Sequence, residues 1–209
     1  MAAAQSENIK RIAKNTLLLY IRMLFGMLVS LYTSRVILNT LGVEDYGIYN
    51  VVAGVIIMLQ SVSSVLSSAT QRYYSYFLGG NKKEYLRNIF SASINIYILF
   101  SFIVVILGET IGLWFINTQL VLPSDRLIAA NYIYQFSIFS FICTIVQVPY
   151  SAVMIAHEDM GIFAMISTLE AALKLMFALL LFVIPLDRLI FYGASLFLIP
   201  VLSLVSYIV

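Results

Sequence analysis

Apolar residues run along this chain in long stretches separated by short polar breaks, and the stretches have the length of membrane-crossing helices. A hydrocarbon core of about 30 Å takes roughly 20 helical residues. The pattern predicts an all-α integral membrane protein of about six transmembrane helices, at residues 15–38, 46–68, 89–116, 127–155, 162–184 and 189–209. The breaks carry the expected turn chemistry. Gly42 supplies backbone freedom in NTLGVEDY, where Glu44 and Asp45 then complement the dipole of the next helix. Pro123 ends the third helix and Asp125 is placed to cap the fourth, while Pro185, Asp187 and Arg188 mark the last turn. Pro149 lies inside the fourth stretch and predicts a kink or local unwinding there. The longest polar interruption is Gln71 to Asn88, with Arg72, Lys82, Lys83 and Arg87 set around a Gly79-Gly80 turn. Its tyrosines and basic residues suit a loop lying on anionic headgroups.

Polar residues inside the stretches are the informative ones. At about 100° per residue, Asn15, Arg22, Gly26, Thr33 and Thr40 project within roughly 40° of one another. An arginine at mid-depth costs about 2.5–3.5 kcal/mol on insertion scales. Two readings stand: Arg22 faces a hydrated cavity, or it snorkels to the headgroups. In the second stretch Tyr49, Ala53, Gln60, Ser64, Ser67 and Gln71 share a face, and in the fourth Ser137, Ser140, Thr144, Gln147 and Ser151 recur at helical spacing. Packing between membrane helices accounts for such faces, and so does the lining of a polar cavity. Glu170 and Lys174 stand four residues apart in the fifth stretch and either neutralise one another or help line a cationic cavity with Arg22 and Arg35. Arg35 and Glu109 fall near the outer face, where a headgroup-level role also fits.

Composition narrows the function. The chain has 209 residues, 62% hydrophobic and 11% charged, with a mean hydropathy of +0.98, against about 45–50% and 25% for a soluble domain. A net charge of +2 is too small for a nucleic-acid footprint. With Cys143 the only cysteine and His157 the only histidine, no internal disulfide, histidine triad or multi-histidine metal site can be built. No phosphate-cradling glycine loop and no large extramembrane loop is present, so an enzyme is not expected and no cofactor is predicted. The basic start resembles a signal peptide, but its apolar run is too long and lacks a cleavage site, so it reads as an anchor. Lys10, Arg11, Lys14, Arg72, Lys82, Lys83 and Arg87 fall on one side and Arg126 and Arg188 on the other, which puts both termini of the chain in the cytoplasm. The 157–159 turn, acidic and without lysine or arginine, is the dissenting loop.

Three stretches carry a family resemblance: SRVILNTLGVEDYGIYNVVAGV (34–55), SATQRYYSYFLGGNKKEYLRNIFSASI and PYSAVMIAHEDMGIFAMISTLEAALKL. They resemble the polysaccharide biosynthesis protein family, the O-antigen and capsule flippases of the multidrug/oligosaccharidyl-lipid/polysaccharide superfamily. The resemblance implies two six-helix lobes that alternate access around a central cavity, in a bacterial inner membrane. Residues 1–209 would be the N-terminal lobe, with a second lobe expected beyond it. The implied substrate is a polyprenyl-diphosphate-linked oligosaccharide, moved among membrane lipids with a proton or sodium ion as coupling ion. Arg22, Lys174 and Arg35 would then line the cationic cavity, Glu170 would set the position of Lys174 or take a proton, and Gln60 and Gln147 would meet sugar hydroxyls. Rival readings are a multidrug or organic-cation antiporter of the same superfamily, which expects unpaired acids in the cavity, and a non-transporting scaffold of a glycan assembly complex, which expects every buried charge to be paired.

Overall fold

The computed structural model describes residues 2–79, 83–185 and 187–208, and among them there are helices and short connections but no strand. A helical run Ala2–Gly79 is interrupted at Gly42, where φ of 82° and ψ of 172° leave the helix. This gives α1 (2–41) and α2 (43–79). A side chain disfavours that conformation. A Cβ added there would meet no atom within 4 Å, so it is the backbone, not space, that calls for glycine. Next, α3 comprises Lys83–Leu107, a single π turn Gly108–Gly112 and Leu113–Thr118. The last three helices are α4 (Leu127–Ala156), α5 (Met160–Leu180) and α6 (Arg188–Ile208).

Five stretches are long and apolar enough to cross a membrane: Ala13–Gly54, Tyr85–Thr118, Leu127–Ala156, Met160–Leu180 and Arg188–Ile208. The first passes through the Gly42 bend, so it takes in α1 and the beginning of α2. The chain is a multi-pass helical membrane protein.

Three local expectations change. The polar interruption at 71–88 is helix up to Gly79 and again from Lys83. At 1.5 Å per residue α2 is about 55 Å long, well beyond the hydrocarbon core, and its polar end includes no proline to stop it. The Gly79-Gly80 turn and Lys82 lie partly or wholly outside the described residues, as do the side chains of Arg11 and Lys83 and the terminal Val209. Asp125 does not cap α4, whose first residue follows Arg126 with no side-chain cap. Finally, α4 stays helical through Pro149 rather than unwinding there, with the proline buried.

α4 is the hub. Its Ile133, Tyr134, Ile138, Phe141 and Ile145 pack with Ile48, Val52 and Ile56 of α2, Tyr97 and Val104 of α3 and Leu189 of α6 in one core. A second, smaller core joins Val36 and Ile37 of α1 to Ala178, Leu181 and Tyr192. α1 is the peripheral helix: 6% of the most apolar stretch of its span is buried, against 33% in α4 and in α6. The π turn of α3 is shaped around Tyr134. This buried side chain donates its hydroxyl to the Gly108 carbonyl at 2.8 Å, and a Cβ on Gly112 would overlap the same hydroxyl.

One end of the bundle is tied by charge. Arg126 pairs with Asp45 at 3.2 Å and with Asp187 at 2.9 Å, while Arg188 donates to the Thr40 carbonyl at 3.1 Å. Asp187 also accepts from the backbone N–H of Leu189 at 3.0 Å and of Ile190 at 3.3 Å, capping α6. The α1–α2 bend, the α3–α4 turn and the α5–α6 turn thus meet in one network. At the other end Asn15 donates to the Glu158 carbonyl at 3.4 Å, joining α1 to the α4–α5 turn.

Arg126→Ala leaves Asp45, only 9% exposed, without its counter-charge. The expected loss is about 1–3 kcal/mol, less than for a fully buried pair because Arg126 is partly hydrated. Adding Asp45→Asn should recover part of it in detergent unfolding; an Arg126→Ala chain as stable as the parent would mark the pair as incidental. Gly112→Ala should cost about 1–3 kcal/mol by overpacking against Tyr134. Tyr134→Phe should then cost less in that background than alone, and additive losses would contradict the contact.

Candidate functional site

Two adjoining cavities lie between the helices. The larger, of about 720 Å³, is bounded by α1, α2, α5 and α6. Arg22, Gly26, Ser30 and Thr33 face it from α1, Tyr49 and Asn50 from α2, Glu170 and Lys174 from α5, and Tyr192 and Ser195 from α6. The polar stripe of α1 therefore divides by position. Its middle meets the cavity, while Asn15 ties the helix to the Glu158 carbonyl at 3.4 Å and Thr40 bonds back to the Val36 carbonyl at 2.7 Å.

The electrostatics are cationic. The ion pairs of Arg126 lie far along the bundle, and among the described residues neither Arg22 nor Lys174 takes part in one. The Arg22 guanidinium sits 4.5 Å from the centroid of the Phe163 ring on α5. Such a contact contributes about 0.5–2 kcal/mol and leaves the N–H donors of the guanidinium free to bind elsewhere. Glu170 turns away from Lys174. Its carboxylate accepts from the Ser203 hydroxyl on α6 and from the Gln147 amide on α4 at 3.4 Å. The i, i+4 spacing of Glu170 and Lys174 thus does not become an ion pair, because the acid is drawn to neighbours on two other helices. Thr33 is 8% exposed, and its hydroxyl has no protein partner while its side chain lines the cavity. A buried hydroxyl in that state is an invitation to water or a ligand.

The smaller cavity, of about 310 Å³, lies between α2, α4, α5 and α6. Gln60 faces it from α2 and Ser137, Ser140, Thr144 and Gln147 from α4, with Glu170 and Lys174 on the wall it shares with the larger one. Here the helical spacing of the α4 hydroxyls and amide does mark a cavity lining, except at Ser151, which bonds to the Val148 carbonyl at 3.0 Å. Pro200 in α6 lacks an N–H, so the Leu196 carbonyl one turn earlier has no helical donor. The Ser140 hydroxyl fills that place at 3.1 Å.

Of the residues singled out from the sequence, Arg22, Lys174, Glu170, Gln60 and Gln147 come together around these cavities, and Arg35 does not. Arg35 is exposed on the outer side of α1 and lines neither cavity. Sequence reasoning placed α6 but missed the face it turns to its neighbours. Tyr192, Ser195, Ile199, Ser203 and Tyr207 are all buried on one face of that helix. Their spacing of three or four residues was the available signal. No protein-family model, curated protein or solved structure matches the chain.

The larger cavity is expected to be wet. With Cys143 replaced by alanine, cysteines introduced at Ser30 and Lys174 should react with a charged, water-soluble thiol reagent, because the thiolate forms only where water reaches. Cysteine at Leu28, exposed on the outer side of α1, should not. Equal reactivity at all three positions would contradict a separate hydrated compartment.

Proposed function

We propose that this protein is one helical lobe of an exporter that moves a lipid-linked, diphosphate-bearing oligosaccharide across the bacterial inner membrane by alternating access. The observation that carries the reading is the pair of cations, Arg22 and Lys174, facing one cavity from within apolar spans, with no acid paired to either among the described residues. A polar headgroup cannot enter hydrocarbon cheaply, and fixed donors replace the water it loses. Arginine offers a planar fork that meets two phosphate oxygens at once, and lysine adds a mobile point charge. The lipid tail stays in the bilayer while the headgroup travels through the cavity, and a second lobe facing α1 and α2 would complete the enclosure.

The charge arrangement favours this reading over its rivals. An organic-cation carrier needs an available acid, and Glu170, the acid on the cavity wall, is engaged by Ser203 and Gln147. A scaffold without transport has no reason to keep Lys174 unpaired inside a span. The concentration of Lys10, Lys14, Arg72 and Arg87 on the helix ends away from Arg126 supports a cytoplasmic location for that end.

Replacing Arg22 by alanine in the native gene should reduce surface glycan at least tenfold at unchanged protein level, with Arg22→Lys retaining part of the export, since a point charge replaces the fork. Undiminished glycan in the alanine variant would remove the basis of the proposal.

A further inference from the structure

Inside the apolar spans, away from their ends and from the Gly42 bend, the charged residues are Arg22, Arg35, Glu109, Glu170 and Lys174. Arg22, Glu170 and Lys174 face the cavities, which leaves one cation and one anion, Arg35 and Glu109, that line neither. Both are exposed on the outside of the bundle. Arg35 stands on α1 among exposed Leu31 and Leu38, while Val36 and Ile37 beside it pack with Ala178 of α5 and Tyr192 of α6. Glu109 stands in the π turn of α3 among exposed Ile106, Ile111 and Trp114, on the flank that packs on α4. The Gln135 amide of α4 donates to its carboxylate at 3.1 Å.

The two charges lie at nearly the same depth. Arg126 pairs with Asp45 at 3.2 Å, which puts the Gly42 bend level with the start of α4. Arg35 is about 10 Å from that bend along α1, and Gln135, which holds Glu109, is about 13 Å from Arg126 along α4. The length of an arginine side chain covers the difference. Either charge facing hydrocarbon alone is costly. Arg35 is long enough to reach headgroups, but Glu109 is short and held by Gln135, and an anionic headgroup offers it no counter-charge. Lipid therefore answers one of the two charges, whereas a surface that brings a cation to Glu109 and an acid to Arg35 answers both. Within one copy they form no ion pair among the described residues. Copies inserted the same way in a bilayer hold equivalent residues at equal depth, so a second copy presents its own Arg35 at the level of Glu109.

We propose that Arg35 on α1 of one copy pairs with Glu109 on α3 of a second copy of this chain, the two lying side by side in the membrane. The exposed apolar residues around each charge then close on one another and keep lipid away from the pair, and Gln135 positions the Glu109 carboxylate. The two flanks differ, so the contact is heterologous, with the α1 side of one copy against the α3 side of the next. It does not draw on the exporter reading, since neither residue lines a cavity. A charge pair removed from water also selects its partner, because like charges brought together there are strongly disfavoured.

The test uses charge reversal on the whole chain, in phosphatidylcholine vesicles free of anionic lipid, with donor- and acceptor-labelled copies and energy transfer across a range of protein-to-lipid ratios. The parent chain should associate. Arg35→Glu and Glu109→Arg should each weaken association at least about tenfold when studied alone, since like charges then meet. Mixed in equal amounts, the two variants should return to within about threefold of the parent, because each offers the charge the other lacks. Arg35→Gln and Glu109→Gln, which add no repulsion and are milder changes within a span, should each weaken association by about threefold or more. A parent chain that stays monomeric at every ratio would overturn the contact. So would association undiminished in both glutamine variants, which would leave Arg35 to the lipid headgroups, or folded reversal variants that associate no better mixed than apart.

Discussion

A cation inside an apolar span that no acid among the described residues neutralises needs water, or something that replaces water, beside it. Arg22 on α1 and Lys174 on α5 approach one cavity from two sides, and α1 pays for its place there with little packing, since 6% of its most apolar stretch is buried. Gly26, Ser30 and Thr33 line the same cavity from α1. Glycine leaves room, and the hydroxyls give hydration a surface. The contact of Arg22 with the Phe163 ring steadies the guanidinium without neutralising it.

The acid of the site does the opposite work. Glu170 lies four residues before Lys174, at the spacing that would cancel both charges, yet its carboxylate is held by Ser203 of α6 and Gln147 of α4. Those hydrogen bonds join three helices at the wall between the two cavities. They also keep the negative charge localised at one edge of the larger chamber. Removing polar groups from this wall would disturb helix packing and local potential together, because the same atoms serve both.

Packing and polarity are distributed unevenly along the bundle. α4 supplies most of the dry core, and its neighbours α2, α3 and α6 close around it. Arg126, with Asp45 and Asp187, gathers three connections at one end, and the Asp187 cap and the Arg188 bond to Thr40 fasten α6 to the same region. At the other end a hydrogen bond from Asn15 joins α1 to the α4–α5 turn. The bend at Gly42 sits on the side of the Arg126 network, where the backbone of α1 leaves the helix.

Apolar run length alone determined that this is a membrane-spanning helical protein, since a bilayer fixes how many residues a helix needs. Helical projection likewise marked Arg22, Gly26 and Thr33 as one face, and Ser137, Ser140, Thr144 and Gln147 as another, because side-chain direction on an isolated helix depends only on spacing. What surrounds each face was beyond its reach. Whether Glu170 would meet Lys174 or Ser203 depends on where α6 packs, and the Ser140 bond to the Leu196 carbonyl depends on a proline in another helix. Arg35 shows the same limit from the other direction: it has the residue type of a site but is exposed and lines neither cavity. Local sequence sets which side of a helix is polar, and only the packing of helices distant in the chain decides whether that side meets lipid, a neighbour or a cavity.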